Sequence, residues 1–421
     1  MVKRSRFFYG WIIVGISFIS MTSIYGIRHS FSIFFPHILD EFGWNRGITA
    51  IMLSLNILIY GCLAPVAGSL GDRWKPRRVM LIGLIVLGLA TASCGFGNRL
   101  SHFYLFFGIL MPIGTAFCGW PLLAPALANW FYKKRGLVIG LGQMGGGLSF
   151  IYSIFVEFTI SNLGWRYAYF VLSGALIALI LPLYLFFYYR PEERGLRPDG
   201  ATELPLPKDL RSKVGKVKDT MSRDWTLRQA LGTRQLWFMA FSLFFYWGIG
   251  VYMVLAHQVK LAEDKGYSGM FSASIFALYG IFMVVGQISS ALSDWIGREK
   301  TITLATILSI GALVALNSVR DTSQPALLYL YAICFGCGAG LFSATLYAAT
   351  ADIFHGRHFG EIAGLLLTGN GIGGAIGPWL GGYIYDVSGS YRIGLFICIF
   401  CFGLACLMIW IAAPRKMRQG V

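Results

Sequence analysis

FGWNRGITA (Phe42–Ala50) leads through an apolar stretch into GSLGDRWKPRR (Gly68–Arg78), and the same order returns as KGYSGMFSA (Lys265–Ala273) leading into SALSDWIGREK (Ser290–Lys300). Gly43 and Asp72 stand 29 residues apart, and Gly266 and Asp294 stand 28 apart. A turn, an apolar run of bilayer length and a carboxylate beside a basic cluster therefore occur twice. A repeated helical unit of this kind is how many secondary transporters build a midplane site between two rocking halves.

Working outward, apolar runs recur with about the 20 residues that a bilayer crossing needs. Splitting them at charged or turn-rich punctuation predicts helices near 8–36, 47–70, 77–97, 101–131, 136–162, 166–189, 235–259, 269–292, 300–318, 325–353, 359–386 and 391–413. The expected fold is an all-α membrane protein of twelve transmembrane helices in two pseudo-symmetric six-helix halves. A polar segment separates a first bundle, 1–189, from a second, 235–421; this inter-bundle loop, 190–234, carries 11 Lys/Arg and 7 Asp/Glu.

The 421 residues are 56% hydrophobic and 13% charged, with mean hydropathy +0.64, which excludes a soluble enzyme. The net charge of +16 sits in short clusters between apolar runs, so no nucleic-acid partner is expected. All eight cysteines fall inside apolar runs without His or acidic neighbours, which points to packing rather than a metal centre. The basic flank at the start resembles a signal peptide, but the apolar run is long and lacks a small-residue cleavage site, so it reads as a retained first helix. Counting Lys and Arg loop by loop places 27 on the side of the termini and 7 on the other, which predicts that both termini are cytoplasmic.

The two repeated segments resemble the loop signature of the major facilitator superfamily, G-x-x-x-D-[RK]-x-G-x-[RK]-[RK]. Lys75 replaces a glycine in the first copy; Ser290 and Trp295 depart in the second. The resemblance implies conformational gating by Asp72, Arg73, Arg77, Asp294 and Arg298, in which a carboxylate beside a basic cluster pairs across to a neighbouring helix. WFYKKRGLVIGLG (Trp130–Gly142), PEERGLRPDG (Pro191–Gly200), DWTLRQAL (Asp224–Leu231) and GNGIGGAIGP (Gly369–Pro378) resemble the branch of monocarboxylate transporters and oxalate:formate antiporters. That likeness implies transport of small organic anions coupled to protons or by exchange, by a monomer in a cell inner membrane, with no cofactor. It also implies a functional cation in the first helix, where His29 falls on the matching position and Arg28 one before. Helix 8 of such relatives carries an Asp and an Arg, and the corresponding places here are Phe282 and Gly286; Asn370 stands where the exchanger has a helix 11 Lys.

Few ionisable residues remain once the loops are set aside: Arg28, His29, Glu157 and His257. A charge inside the membrane costs about 3 kcal/mol or more, so each should face a partner or a water-filled cavity. Arg28 can hold a carboxylate through two parallel hydrogen bonds; the plainer reading is a side chain snorkelling outward, two turns from Pro36. Successive helical residues diverge by about 100°, so Arg28 and His29 should not face one cavity equally. His257 is a candidate for substrate contact or proton transfer, against a histidine that only bonds its neighbours. Glu157 is a candidate proton site, against an interfacial carboxylate. Trp120, Gln143, Tyr279 and Asn370 complete the expected substrate-binding set, their tips suiting single hydrogen bonds or stacking; Tyr25, Trp247, Gln287 and Tyr347 lie near the same cavity.

Three readings stay open. The first is a secondary transporter, not an enzyme, that moves a small organic anion by alternating access. The second keeps the fold and takes a neutral or aromatic solute. The third is a membrane sensor that uses the basic central loop.

Overall fold

The computed structural model describes residues 8–131, 135–198, 225–354 and 359–412. Every regular element among them is helical. The long helices are α1 (Gly10–Phe42), α2 (Arg46–Gly71), α3 (Pro76–Cys94), α4 (Leu100–Trp130), α5 (Leu137–Leu163), α6 (Trp165–Leu185), α7 (Arg234–Glu263), α8 (Gly269–Ser289), α9 (Arg298–Ser318), α10 (Pro325–Ile353), α11 (Phe359–Ser388) and α12 (Arg392–Ala412). All except α11 are long and apolar enough to cross a bilayer by length and composition. Helix α11 has the length, 30 residues, but nine glycines dilute its hydropathy.

The largest departure from the sequence reading is at the first helix. Pro36 was expected to mark its end, but it sits inside the helix, which continues to Phe42. Residues that read as loop, His37, Asp40 and Glu41, are helical and paired: His37 with Glu157, Asp40 with Lys260, Glu41 with Arg166. The true stop is Gly43, left-handed at φ 63°, whose N–H donates to the Leu39 carbonyl at 2.8 Å. Gly266, its counterpart in the second copy, is also left-handed at φ 91°. The repeat thus reuses one turn chemistry: glycine where a side chain would be strained.

The second gating loop keeps its glycine, Gly297 at φ 99°, whereas Lys75 in the first copy has φ −69° and ψ 109°. The first loop passes through extended backbone, which any residue adopts. The departure from the family pattern is therefore accommodated without strain.

Within the first six helices α1 packs on α5, α3 on α4 and α6, and α2 on α4; within the last six, α10 packs on α8 and α9, and α7 on α11 and α12. The two sets meet along α2 with α11 and α5 with α8. Without water to expel between helices, close packing of small residues drives such contacts. At Gly248 of α7 a Cβ would come within 2.7 Å of the Gly373 Cα of α11, so the backbones nearly touch. Aromatic rings fill wider gaps, as where Tyr246 stacks on Phe342 at 3.6 Å and Phe34 on Tyr169 at 3.8 Å.

Candidate functional site: the seam between the two sets of helices

At the face opposite the start of α1, the seam is closed by charge. The Arg46 guanidinium, at the start of α2, grips the Asp264 carboxylate at 2.5 and 3.1 Å, donates to the Tyr391 hydroxyl at 2.8 Å and lies 3.6 Å from the Tyr385 ring centroid. The N–H groups of Arg46 and Gly47 donate to the Asp386 carboxylate at 2.9 and 2.7 Å. An acid at the exposed amides of a helix start is favourable. Lys260 of α7 pairs with Asp40 of α1 at 2.9 Å, and the Ser32 hydroxyl donates to the Leu255 carbonyl. Asp264, Asp386, Tyr385 and Tyr391 all belong to the second half of the chain, so these contacts bolt the two sets of helices together.

Deeper in the seam stands Arg28, 4% exposed. Its guanidinium carbon lies 4.7 Å from the Tyr60 ring centroid and 5.9 Å from that of Tyr25, and no carboxylate pairs with it among the described residues. Tyr25 and Tyr60 are joined through their hydroxyls at 2.7 Å. Ring faces attract a cation, by about 0.5–2 kcal/mol, but do not neutralise it. Because α1 extends to Phe42, Arg28 sits just past its midpoint, 14 residues and about 21 Å of helix from its end. That distance weakens the snorkelling reading, which took Pro36 as the nearby exit.

The structure separates Arg28 from His29, as the helical angle requires. His29 turns to α5, where its Nδ1 meets the Ser149 hydroxyl at 2.8 Å and its ring stacks on Phe150 at 4.0 Å. Phe150 in turn touches Tyr279 of α8, edge to face at 5.0 Å. Between His29 and Phe31 the helix loosens, and the Ser30 hydroxyl bonds the Ile27 carbonyl at 2.6 Å.

Several residues of the seam carry buried polar atoms that lack a partner among the described residues: Tyr279 Oη and Asn370 Oδ1 of the expected binding set, together with Trp247 Nε1, Gln287 Oε1 and Thr345 Oγ1. Such atoms cost about 1–3 kcal/mol each unless something fills the site. Trp120 is half-buried beside Gly142 of α5, 3.4 Å from where a Cβ would stand there. Gln143 is exposed, one turn from Gly147, which packs on Val284 of α8. It lies on the stripe of α5 that faces α8 but is not gathered around Arg28.

Two further candidates sit at the bolted face. His257 Nε2 bonds the Pro378 carbonyl at 2.8 Å, and its Nδ1 faces the Tyr391 hydroxyl at 3.2 Å, so both ring nitrogens are engaged within the last six helices. Glu157 is buried, accepts from Ser161 at 3.2 Å, faces His37 Nε2 at 3.3 Å, and packs against Gly269 at the start of α8.

Of the gating residues, Arg298 binds Asp294 at 2.7 Å and Asp352 at 2.9 Å and also bonds Ser293. These bonds tie the short helical turn after α8 (Leu292–Ile296) and the start of α9 to the end of α10, all within the last six helices. Arg77 is half-buried at the start of α3, and the side chains of Asp72 and Arg73 lie outside the described residues. Sequence reasoning missed Arg46, Tyr60 and Tyr252. Arg46 read as an outer loop charge, because its partners lie 218 to 345 residues away along the chain.

Two sets of long apolar helices that meet along a polar seam, closed by charge at one face, are the architecture of a membrane transporter. The Major Facilitator Superfamily model matches residues 11–352 and 307–420, and the chain belongs to that family. It is a multi-pass membrane protein and a secondary transporter, not an enzyme. It is 25% identical to monocarboxylate transporter 13 of Rattus norvegicus over 97% of this chain and 89% of that one. To monocarboxylate transporter 2 of Homo sapiens it is 24% identical over 93% and 82%. Among solved structures, a bacterial homologue of the human lysosomal transporter Spinster, inward-facing and unoccupied, superposes with TM-score 0.67 at 16% identity, covering 99% of this chain and 98% of that one. A D-xylose-proton symporter gives TM-score 0.67 at 14% identity, covering 95% and 96%.

Proposed function

We propose that the protein moves a small organic anion, monocarboxylate-like or dicarboxylate-like, across the membrane by alternating access and coupled to protons. The observation that carries this reading is Arg28, a buried cation between the two sets of helices with no acidic partner among the described residues. A guanidinium offers two parallel N–H donors, which match a carboxylate better than any other small anion-bearing group except phosphate. The likeness to monocarboxylate transporters supports the same chemistry. In this reading the substrate supplies the counter-charge that the protein withholds.

Glu157 is the proton site of the proposal. It is buried beside His37 where α5 meets the start of α8, and parting of the latch would change its access to water. His257, with both nitrogens engaged, holds the latched face and contributes to substrate only indirectly. The loop charges orient the chain with both termini in the cytoplasm of a cell whose inner membrane holds it as a monomer, and the latch then closes the outer side. Asp294 with Arg298 braces the inner end of the last six helices while they rock.

The test is uptake of labelled lactate, pyruvate and oxalate by purified protein in liposomes, with and without an inward proton gradient. Uptake that rises with the gradient and falls in Glu157→Gln is expected. Uptake of none of these acids by folded protein would reject the anion reading, and equal uptake in both gradients would reject the coupling.

A further inference from the structure

The surroundings of Arg28 hold more ring surface than a carboxylate alone requires. Tyr25 and Tyr60 flank the guanidinium from the first six helices. From the last six comes Tyr252 of α7, in the neighbourhood of Tyr25, Tyr60 and Tyr347 of α10. Trp247, on the same helix, stands edge to face with Tyr252 at 6.0 Å. Tyr252 reaches across α11, where a Cβ on Gly374 would meet its ring at 2.9 Å and the side chain of Ile57 of α2 closer still. Rings from both halves therefore lie near one another, and all five remain partly accessible.

Polar atoms without partners lie among the same helices. Trp247 Nε1 on α7, Thr345 Oγ1 on α10 and Asn370 Oδ1 on α11 are buried and make no hydrogen bond among the described residues. The α7 and α11 backbones touch beside two of them, since a Cβ on Gly248 would lie 3.2 Å from the Asn370 carbonyl. A short aliphatic acid would satisfy Arg28 and leave these ring faces and orphan atoms unserved.

We infer that the transported anion is an aromatic monocarboxylate. Its carboxylate lies on Arg28, and its ring lies between the Tyr25 and Tyr60 pair and the Tyr252 and Trp247 pair. Trp247 Nε1 and Asn370 Oδ1 remain to donate to and accept from a polar ring substituent. Selectivity then comes from ring contact and charge from Arg28, two separable contributions. This inference rests on the organic-anion reading above.

The test uses matched probes on the full chain in liposomes: lactate against 3-phenyllactate, acetate against phenylacetate, and phenethyl alcohol as the uncharged counterpart. Ring stacking predicts that each aromatic acid competes for uptake at least about tenfold more tightly than its aliphatic partner. Tyr252→Ala should narrow that ratio to within about threefold by removing a stacking face, and Trp247→Phe, which keeps a ring, should retain most of it. Lactate competing as well as 3-phenyllactate would overturn the aromatic inference while leaving the anion reading intact. Phenethyl alcohol competing as well as phenylacetate would overturn the anion reading instead. Competition by none of the acids against any substrate in folded protein would overturn both.

Discussion

Arg28 and Arg46 both stand in the seam between the two sets of helices, and their surroundings differ in kind. Arg46 has a two-pronged carboxylate partner in Asp264, a tyrosine hydroxyl and a tyrosine face, each from the other half of the chain. Among the described residues Arg28 has ring faces alone. A charge paired in this way fixes a contact: the forked guanidinium–carboxylate pair, although partly exposed, acts together with a tyrosine hydroxyl bond and a ring face across the same seam. A buried charge left without its counter-ion is poised to receive one. In the proposed reading the same residue type is thus a latch at one end of the seam and a receptor at its middle.

The comparison can be broken most sharply by making Arg28 resemble Arg46. Tyr60→Asp places a carboxylate beside the guanidinium, and a charge-assisted bond of about 1.5–3 kcal/mol predicts a fall in anion affinity of tenfold to more than a hundredfold, read as the concentration for half-maximal uptake. Unchanged affinity would mean that the substrate does not use Arg28.

The converse change weakens the latch. Asp264→Asn removes the charge opposite Arg46 and leaves Lys260 with Asp40 in place. The seam at this face should open, shifting the balance of the two access states by about tenfold for 1.4 kcal/mol. Spin labels at Asn45 and Ser268 would read this as a longer distance population, and an unaltered distribution would show that Arg46 is not the latch.

A smaller effect is expected at Asp352→Asn, which frees Arg298 from α10 without touching the seam. Maximal uptake should fall a few-fold, for about 1 kcal/mol lost, with the half-saturating concentration unmoved. A change in affinity instead would connect this brace to the binding site. The smallest is His257→Gln, which can still donate to the Pro378 carbonyl and should alter uptake by less than about threefold.

How much of this was readable follows from the length scale of each signal. The twelve helices, the duplicated turn and the gating loops are local patterns, and Gly43 and Gly266, at matching places in the repeat, both take left-handed backbone. The end of α1 was misread because His37, Asp40 and Glu41 look like loop residues until their partners on α5, α6 and α7 are known. Arg28 was visible as a charge stranded in an apolar run, and its divergence from His29 follows from helical geometry. The Arg46 latch was not visible, since nothing near it in sequence announces Asp264 or Asp386. Tyr60 and Tyr252 were passed over for a related reason: an isolated tyrosine in a membrane helix reads as belt or packing until helices from two halves bring several together.

The most direct test of Arg28 as the anion receptor is counterflow in liposomes, where exchange of labelled for unlabelled acid needs no proton gradient. The probe is whichever of lactate, pyruvate, oxalate and 3-phenyllactate the unaltered protein exchanges fastest. Loss of the two charge-assisted bonds predicts that Arg28→Ala exchanges at least about a hundredfold more slowly, with Arg28→Lys intermediate because a point charge keeps the attraction without the fork. Arg28→Ala exchanging at the unaltered rate, in protein shown to be folded and inserted, would contradict the account.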